Sequence, residues 1–367
     1  MVTGHITTAR PEPFRSWATI PALLSAIGAA GGPTFRFLMK LATLHDGSRD
    51  GQLVVVSRDL ASAQYATGIA NRLQLALDDW GFVAPQLQDL YDALNAGRAR
   101  HPFPFDPQQC MAPLPRAFQC VELAASRDTT SALAPAPMLQ QLAGDALAGA
   151  CAPLPARAVG MELDFGAGLA VVTGDLAVAS TSGQALDAVR LLMLANSVAL
   201  RALEPAEREI GMGAQHSRPA TAFSPVAVTL DELGIAWSGG RLALTVQSAL
   251  NGRQLGRCDA AAGMAWSFGE LVAHAARTRT LGAGSIVCSG PLRAAPVPGG
   301  KQATDSPSAC ASLLERRHWE AQQGGQTRTE FLQLGDQIRL DMKGPDGRSL
   351  CGAIEQTVAD RPRVQPA

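Results

Sequence analysis

The chain has little charge and no clustered metal-binding cysteine. Only 17% of its 367 residues are Asp, Glu, Lys or Arg, and the formal net charge is −1. A near-neutral chain has no electrostatic reason to seek nucleic acid or an anionic membrane, so neither is expected as a partner. The seven cysteines (Cys110, Cys120, Cys151, Cys258, Cys288, Cys310 and Cys351) form no CxxC pair and no Cys/His spacing of zinc type. An odd, scattered set in a chain of this length is the pattern of reduced thiols, and a cytoplasmic protein is expected. No apolar run reaches the roughly 18 residues that a spanning helix needs. No internal repeat is present.

What is there is apolar: 47% of the residues, in a chain long enough for one large or two modest domains. Lys40–Ser57 reads as a hairpin, with His45 to Gly51 as turn material and Gln52-Leu53-Val54-Val55-Val56 as its second strand. Gly68–Trp80 and Pro85–Ala96 carry apolar residues at helical spacing, with Gly97 as a stop. Prolines 102, 104, 107, 113 and 115 make 101–116 an extended linker. Beyond it, Leu163–Gly174 and Leu242–Leu255 read as strands, the second with an Asn251-Gly252 turn. Gln184–Leu192 and Phe268–Thr278 fit amphipathic helices, and Ala195–Leu200 a strand. Thr327–Met342 and Cys351–Val358 form a closing hairpin around 344–347, while 293–309 reads as a mobile loop. The fold class is α+β: a small N-terminal domain over 39–105 and a larger mixed β domain over 106–367. Residues 1–38 read as a disordered extension, with an export signal as the competing reading because Arg10 and Arg15 precede an apolar stretch.

Five segments in order carry a resemblance to the fumarylacetoacetate hydrolase family. They are Met39-Lys-Leu-Ala-Thr-Leu-His-Asp-Gly-Ser-Arg-Asp-Gly, Phe103-Pro-Phe-Asp-Pro and Arg190-Leu-Leu-Met-Leu-Ala-Asn, then Ser217-Arg-Pro-Ala-Thr-Ala-Phe-Ser-Pro-Val-Ala-Val and Ala275-Ala-Arg-Thr-Arg-Thr-Leu-Gly-Ala-Gly-Ser-Ile-Val. The resemblance implies a fumarylacetoacetase-type β-roll, a homodimer and ancestry in C–C bond hydrolysis of β-diketo acids. In that chemistry a divalent metal, Mg, Ca or Mn, stabilises the carbanion leaving group.

The same resemblance marks what this chain has changed. Bacterial relatives read Asp-Phe-Glu-Ala-Glu where this chain has Asp164-Phe165-Gly166-Ala167-Gly168, so both glutamate ligands are glycine. The aspartate expected after Asn196 is Ser197, and the segment that would carry a further aspartate is absent between Gln119 and Cys120. A hard cation needs oxygen ligands, and glycine has no side chain to offer, so no metal cofactor is expected. Cys120 stands at the histidine position, Arg218 at the lysine position, His216 at a glutamine position, Leu139 at a tyrosine and Pro291 at a threonine. Glu315 alone matches its counterpart. Cys120 or His216 as a base, with Arg218 as an anion clamp, would be a repurposed site. The bland alternatives are a buried apolar cysteine, a solvated histidine and a structural ion pair between Arg218 and Glu315. Asp164 reads as a local hydrogen-bonding residue.

The expectation that follows is a pseudoenzyme of that family, non-hydrolytic, which either binds a small organic acid through Arg218 or has no ligand. Its competitors are a metal-independent enzyme on a β-keto or β-diketo acid, by hydrolysis, decarboxylation or cyclisation, and an ordinary C–C bond hydrolase with a differently aligned site.

Overall fold

The two apolar runs of the first fifty described residues pair as the sequence anticipates. In the computed structural model, which describes residues 37–124, 136–145, 147–211, 213–293, 310–344 and 346–359, Lys40–Leu44 and Gln52–Val56 form an antiparallel hairpin. Residues 1–36, and with them almost all of the expected extension, lie outside the described residues, as does 294–309 of the expected mobile loop. The hairpin belongs to an eleven-stranded sheet. Its order is Phe103–Pro104, Ser62–Tyr65, Gln52–Val56, Lys40–Leu44, Val226–Thr229, Val189–Ser197, Ala167–Thr173, Ile286–Pro291, Cys120–Leu123 and Leu139–Leu142, with Thr221–Phe223 branching from Val189–Ser197. One sheet therefore runs from the N-terminal strands into the larger C-terminal part.

A five-stranded sheet packs over one face: Arg253–Asp259, Thr245–Leu250, Gln337–Met342, Ile354–Ala359 and Leu154–Pro155. Its Val246, Ile338, Leu340 and Ile354 share a core with Phe165, Ala167, Leu169 and Val171 of the large sheet. Side chains alternate across a strand, so Gly166, Gly168, Ala170 and Val172 point to the opposite face. There Ala170, Val172, Met193, Cys120 and Cys288 meet Leu73, Leu87 and Tyr91 of the helices Leu73–Asp78 and Trp80–Asn95. No helix among the described residues is long and apolar enough to cross a membrane.

One local expectation holds as read, and several others are corrected by tertiary structure. The Asn251-Gly252 turn has both residues at positive φ (50° and 75°) and joins Leu250 to Arg253, a two-residue hairpin. The second proposed helix starts earlier, at Trp80, and carries Pro85 inside it. Pro85 lies in the second turn and removes the bond to the Gly81 carbonyl; the helix runs on through it with Val83, Ala84, Leu87, Tyr91 and Leu94 buried. The helix expected over 184–192 is Ser182–Ala188, opened by a capping box of Thr181 and Gln184. Val189–Leu192 belongs instead to the central strand Val189–Ser197, whose pairing on both edges outweighs its helix-compatible spacing. Of 327–342 only Gln337–Met342 is strand. The helix Leu313–Gln322 was not expected; its run of Glu, Arg, Arg and His leaves only Leu313 buried, so it has no apolar stripe to read.

Candidate functional site

The two glycines in the Ala167–Thr173 region are filled from outside. A Cβ on Gly168 would stand 2.4 Å from the carbonyl oxygen of Gly290, and one on Gly166 would stand 2.6 Å from Cγ of Pro291. The segment Ser289–Pro291 lies directly on this strand: Pro291 is in register with Gly168, and Leu169 N–H donates to Ser289 Oγ at 3.0 Å. Gly290 reaches that position with φ of 67°, and a Cβ on it would meet Leu123 O at 2.5 Å. Backbone and a proline ring occupy the space where longer side chains would have pointed.

Next to these glycines a chain of buried charges begins. Ser197 lies on the same sheet face, and its hydroxyl donates to Glu122. Glu122, fully buried on Cys120–Leu123, also accepts from Gln140 Nε2 at 2.9 Å. Arg218 Nε stands 3.9 Å from Glu122 Oε1, too far for a hydrogen bond, and Arg218 Nη2 lies 3.2 Å from Glu204 Oε1. Glu204 Oε1 also takes Arg201 Nη1 at 2.8 Å. Arg201 Nε and Nη2 both reach Asp164 Oδ2 at 2.9 Å. Asp164 further accepts Leu313 N–H (2.8 Å) and Leu314 N–H (3.2 Å), so it caps the Leu313–Gln322 helix where that helix's amides would otherwise lack partners. Burial works against the charge on Arg201, but Asp164 and Glu204 outweigh it and hold its pKa above the ordinary value.

Arg218 differs from its neighbours. Only 5% of its side chain is exposed, yet Nε and Nη1 make no hydrogen bond among the described residues. Buried donors without acceptors carry the full desolvation cost of the group. The loop that delivers Arg218 is fixed by Glu207, whose carboxylate accepts His216 N–H, Ser217 N–H and the Ser217 hydroxyl. Burial pushes Glu207 up, but the Ser217 hydroxyl and the two amides outweigh it and leave it below the ordinary carboxylate value. With the loop so held, His216 is exposed while Ser217 and Arg218 are both buried.

The other sequence candidates separate. Glu315 accepts Ala311 N–H at 2.8 Å and feels the charges of Asp164 and Arg201, so it belongs to the same neighbourhood, although Arg218 pairs with Glu204 and Glu122 instead of with it. Burial pushes the Glu315 carboxyl up to about 7, against the pull of the Ala311 amide and Arg293. Cys120 shares a strand face with Glu122 but packs in the apolar core, where its thiol bonds that of Cys288. That bond and burial raise Cys288 well above an ordinary thiol. Leu139 pairs with Leu123 at the sheet edge. Sequence reasoning missed Glu122, Arg201, Glu204 and Gln140. A glutamate inside the Cys120-Val121-Glu122-Leu123 strand was the available signal, since alternation places it on Cys120's face.

The donors in place do not fit the divalent cation that the family resemblance implies. Gly166 and Gly168 offer no oxygen, their Cβ positions are filled, and the Ser197 hydroxyl is committed to Glu122. Among the described residues no three His, Cys, Asp or Glu side chains are grouped to hold a metal ion. Two surface cavities of about 370 and 340 Å³ lie elsewhere, and no residue of the charge network lines either one.

Known proteins give two family matches that divide the chain between them. The model described as "Fumarylacetoacetase N-terminal domain 2" matches residues 39–116, and that of "Fumarylacetoacetate (FAA) hydrolase C-terminal" matches 118–359. Among solved structures, a fumarylacetoacetate hydrolase from Exiguobacterium antarcticum has a TM-score of 0.58 at 18% identity, covering 88% of this chain and 100% of its own. A probable 2-hydroxyhepta-2,4-diene-1,7-dioate isomerase from Mycobacterium abscessus gives 0.58 at 17%, covering 89% and 100%. Maleylpyruvate hydrolase from Sphingobium sp. SYK-6 gives 0.55 at 16%, covering 88% and 100%. At these identities the likeness is one of fold. No curated protein matches the chain.

Proposed function

Since the chain belongs to the fumarylacetoacetate hydrolase family, we propose that it keeps the family's fold, binds a small organic acid through Arg218 and does not carry out metal-dependent C–C cleavage. The observation that carries this reading is Arg218 itself, a buried guanidinium with two donors that no described residue uses. Guanidinium suits carboxylate recognition because its N–H groups are planar and always charged. The acids named for the similar structures, fumarylacetoacetate, maleylpyruvate and 2-hydroxyhepta-2,4-diene-1,7-dioate, are all carboxylates. Against cleavage stand Gly290 and Pro291, which fill the positions from which metal-binding carboxylates would have to reach. The expected homodimer and cytoplasmic setting are part of the same proposal, the first read by light scattering on the eluted protein.

The test is calorimetric titration of chelator-stripped protein with Mg²⁺, Mn²⁺ and Ca²⁺, with and without oxalate, beside a hydrolysis assay on acylpyruvates. The expected result is no metal binding and no metal-dependent turnover. Micromolar binding of one ion per chain, or turnover well above background, would return the hydrolase reading to first place.

One observation favours a second reading, a metal-independent enzyme on a β-keto acid. Glu315, with its pKa near 7, is poised for proton transfer at working pH. If purified protein turns over such an acid, loss of activity in Glu315→Gln and Arg218→Ala supports this reading. Equal loss in Cys120→Ala or His216→Ala would reassign the base.

A further inference from the structure

Arg218 Nε and Glu122 Oε1 face each other across 3.9 Å, and neither saturates the other. That gap is too long for a hydrogen bond, yet one oxygen atom lying to the side can sit at ordinary hydrogen-bond length from both. Such an oxygen has to accept from Arg218 and donate to Glu122. A hydroxyl does both, while a ketone or bare carboxylate oxygen would turn its lone pairs toward those of Glu122. Every other group placed on Glu122 is already committed: Gln140 Nε2 donates to Oε1 and the Ser197 hydroxyl to Oε2. Cys288, on the neighbouring strand, has its thiol bonded to Cys120.

We propose that Glu122 is a specificity-determining residue of the Arg218 site, and that the ligand it selects is a small hydroxy acid whose hydroxyl oxygen bridges Arg218 Nε and Glu122 Oε1. This inference rests on the reading of Arg218 as an acid-binding residue. It adds a direction of selectivity: a hydroxy acid is preferred over the keto acid of the same carbon skeleton. A buried acceptor left facing another acceptor is what makes such a site discriminate, more than the hydrogen bond gained by the correct ligand.

The experiment is calorimetric competition with two matched pairs, lactate against pyruvate and 3-hydroxybutyrate against acetoacetate, using both enantiomers of each hydroxy acid. In at least one pair the hydroxy acid should bind roughly tenfold tighter or more. In Glu122→Gln the amide N–H can donate to a ketone, so the preference should shrink or reverse. Arg218→Met should abolish binding of both members. Binding of both members with equal affinity overturns the inference while leaving the Arg218 reading intact. Binding that survives Arg218→Met, or no binding by any of the four acids, overturns the Arg218 reading and this inference with it; in the latter case water alone fills the gap. The wild-type competition decides the matter even if the Glu122 variant fails to fold.

Discussion

Arg201 and Arg218 share one carboxylate, Glu204, and are buried to nearly the same depth, with side chains 7% and 5% exposed. Around Arg201 every nitrogen of the guanidinium has a carboxylate oxygen within 2.9 Å. Around Arg218 one nitrogen has such a neighbour at 3.2 Å, and two have no hydrogen bond among the described residues. The first arrangement is what a structural ion pair requires, because a buried charge is tolerated only when its donors are satisfied. The second leaves donors over among the described residues, which is what the proposed acid-binding role would use. Burial alone does not distinguish these two arginines; the hydrogen-bond inventory does.

Stability measurements can break this comparison. Arg201→Ala strands the fully buried Asp164 and should cost about 3–5 kcal/mol in denaturant unfolding. Arg218→Met leaves Glu204 paired with Arg201 and Glu122 with Ser197 and Gln140, so its cost should be less than half as large. Equal costs for the two variants would mean that Arg218 is structural after all.

Gly168→Ala sharpens the contrast between the filled glycine positions and the open arginine. Its Cβ meets backbone at Gly290, which cannot swing away as a side chain can, so overpacking of about 1–3 kcal/mol is expected. A neutral result would mean that Ser289–Pro291 moves easily and that the space beside the two glycines can open.

Glu315 makes a pH-dependent version of the test. Its folded pKa of about 7 lies above the ordinary 4.5, so the native state holds the proton more tightly than the unfolded chain. Its contribution is fully present below pH 4.5 and is lost as pH rises through 7. Because the residue is part-exposed, the expected size is about 1–2 kcal/mol, a discount on the full shift. Glu315→Gln should flatten that decline, gaining on the wild type at pH 8 and not at pH 4; parallel curves would remove Glu315 from the buried network. The smallest effect is expected at Cys120→Ala, about 1 kcal/mol of stability from lost packing beside Cys288. Loss of acid binding there would restore a role in the site for this thiol.

Much of the framework was legible before any coordinates. The Lys40–Ser57 hairpin and the Asn251-Gly252 turn follow from local chemistry: two apolar runs around turn residues, and a residue pair that accepts positive φ. Val189–Leu192 was misread as helix because a short apolar run satisfies either period, and only its two strand neighbours decide the matter. The Leu313–Gln322 helix lacks an apolar stripe; its local signal is the Ser312 cap three residues before Glu315, and the rest of its N-terminal support comes from Asp164, far away in sequence.

At the site the division is similar. The sequence by itself determined which side chains are available: two glycines and a serine where a family resemblance implies carboxylates, and an arginine in place of a lysine. Only the tertiary structure decided that Pro291 and Gly290 fill the glycine positions, that Cys120 lies in the core while Glu122, two residues on, faces Arg218, and that Arg201 is satisfied and Arg218 is not. The reason is physical. Side-chain identity and period are local properties of the chain, whereas burial, and the count of donors left without acceptors, depend on which distant segments pack together.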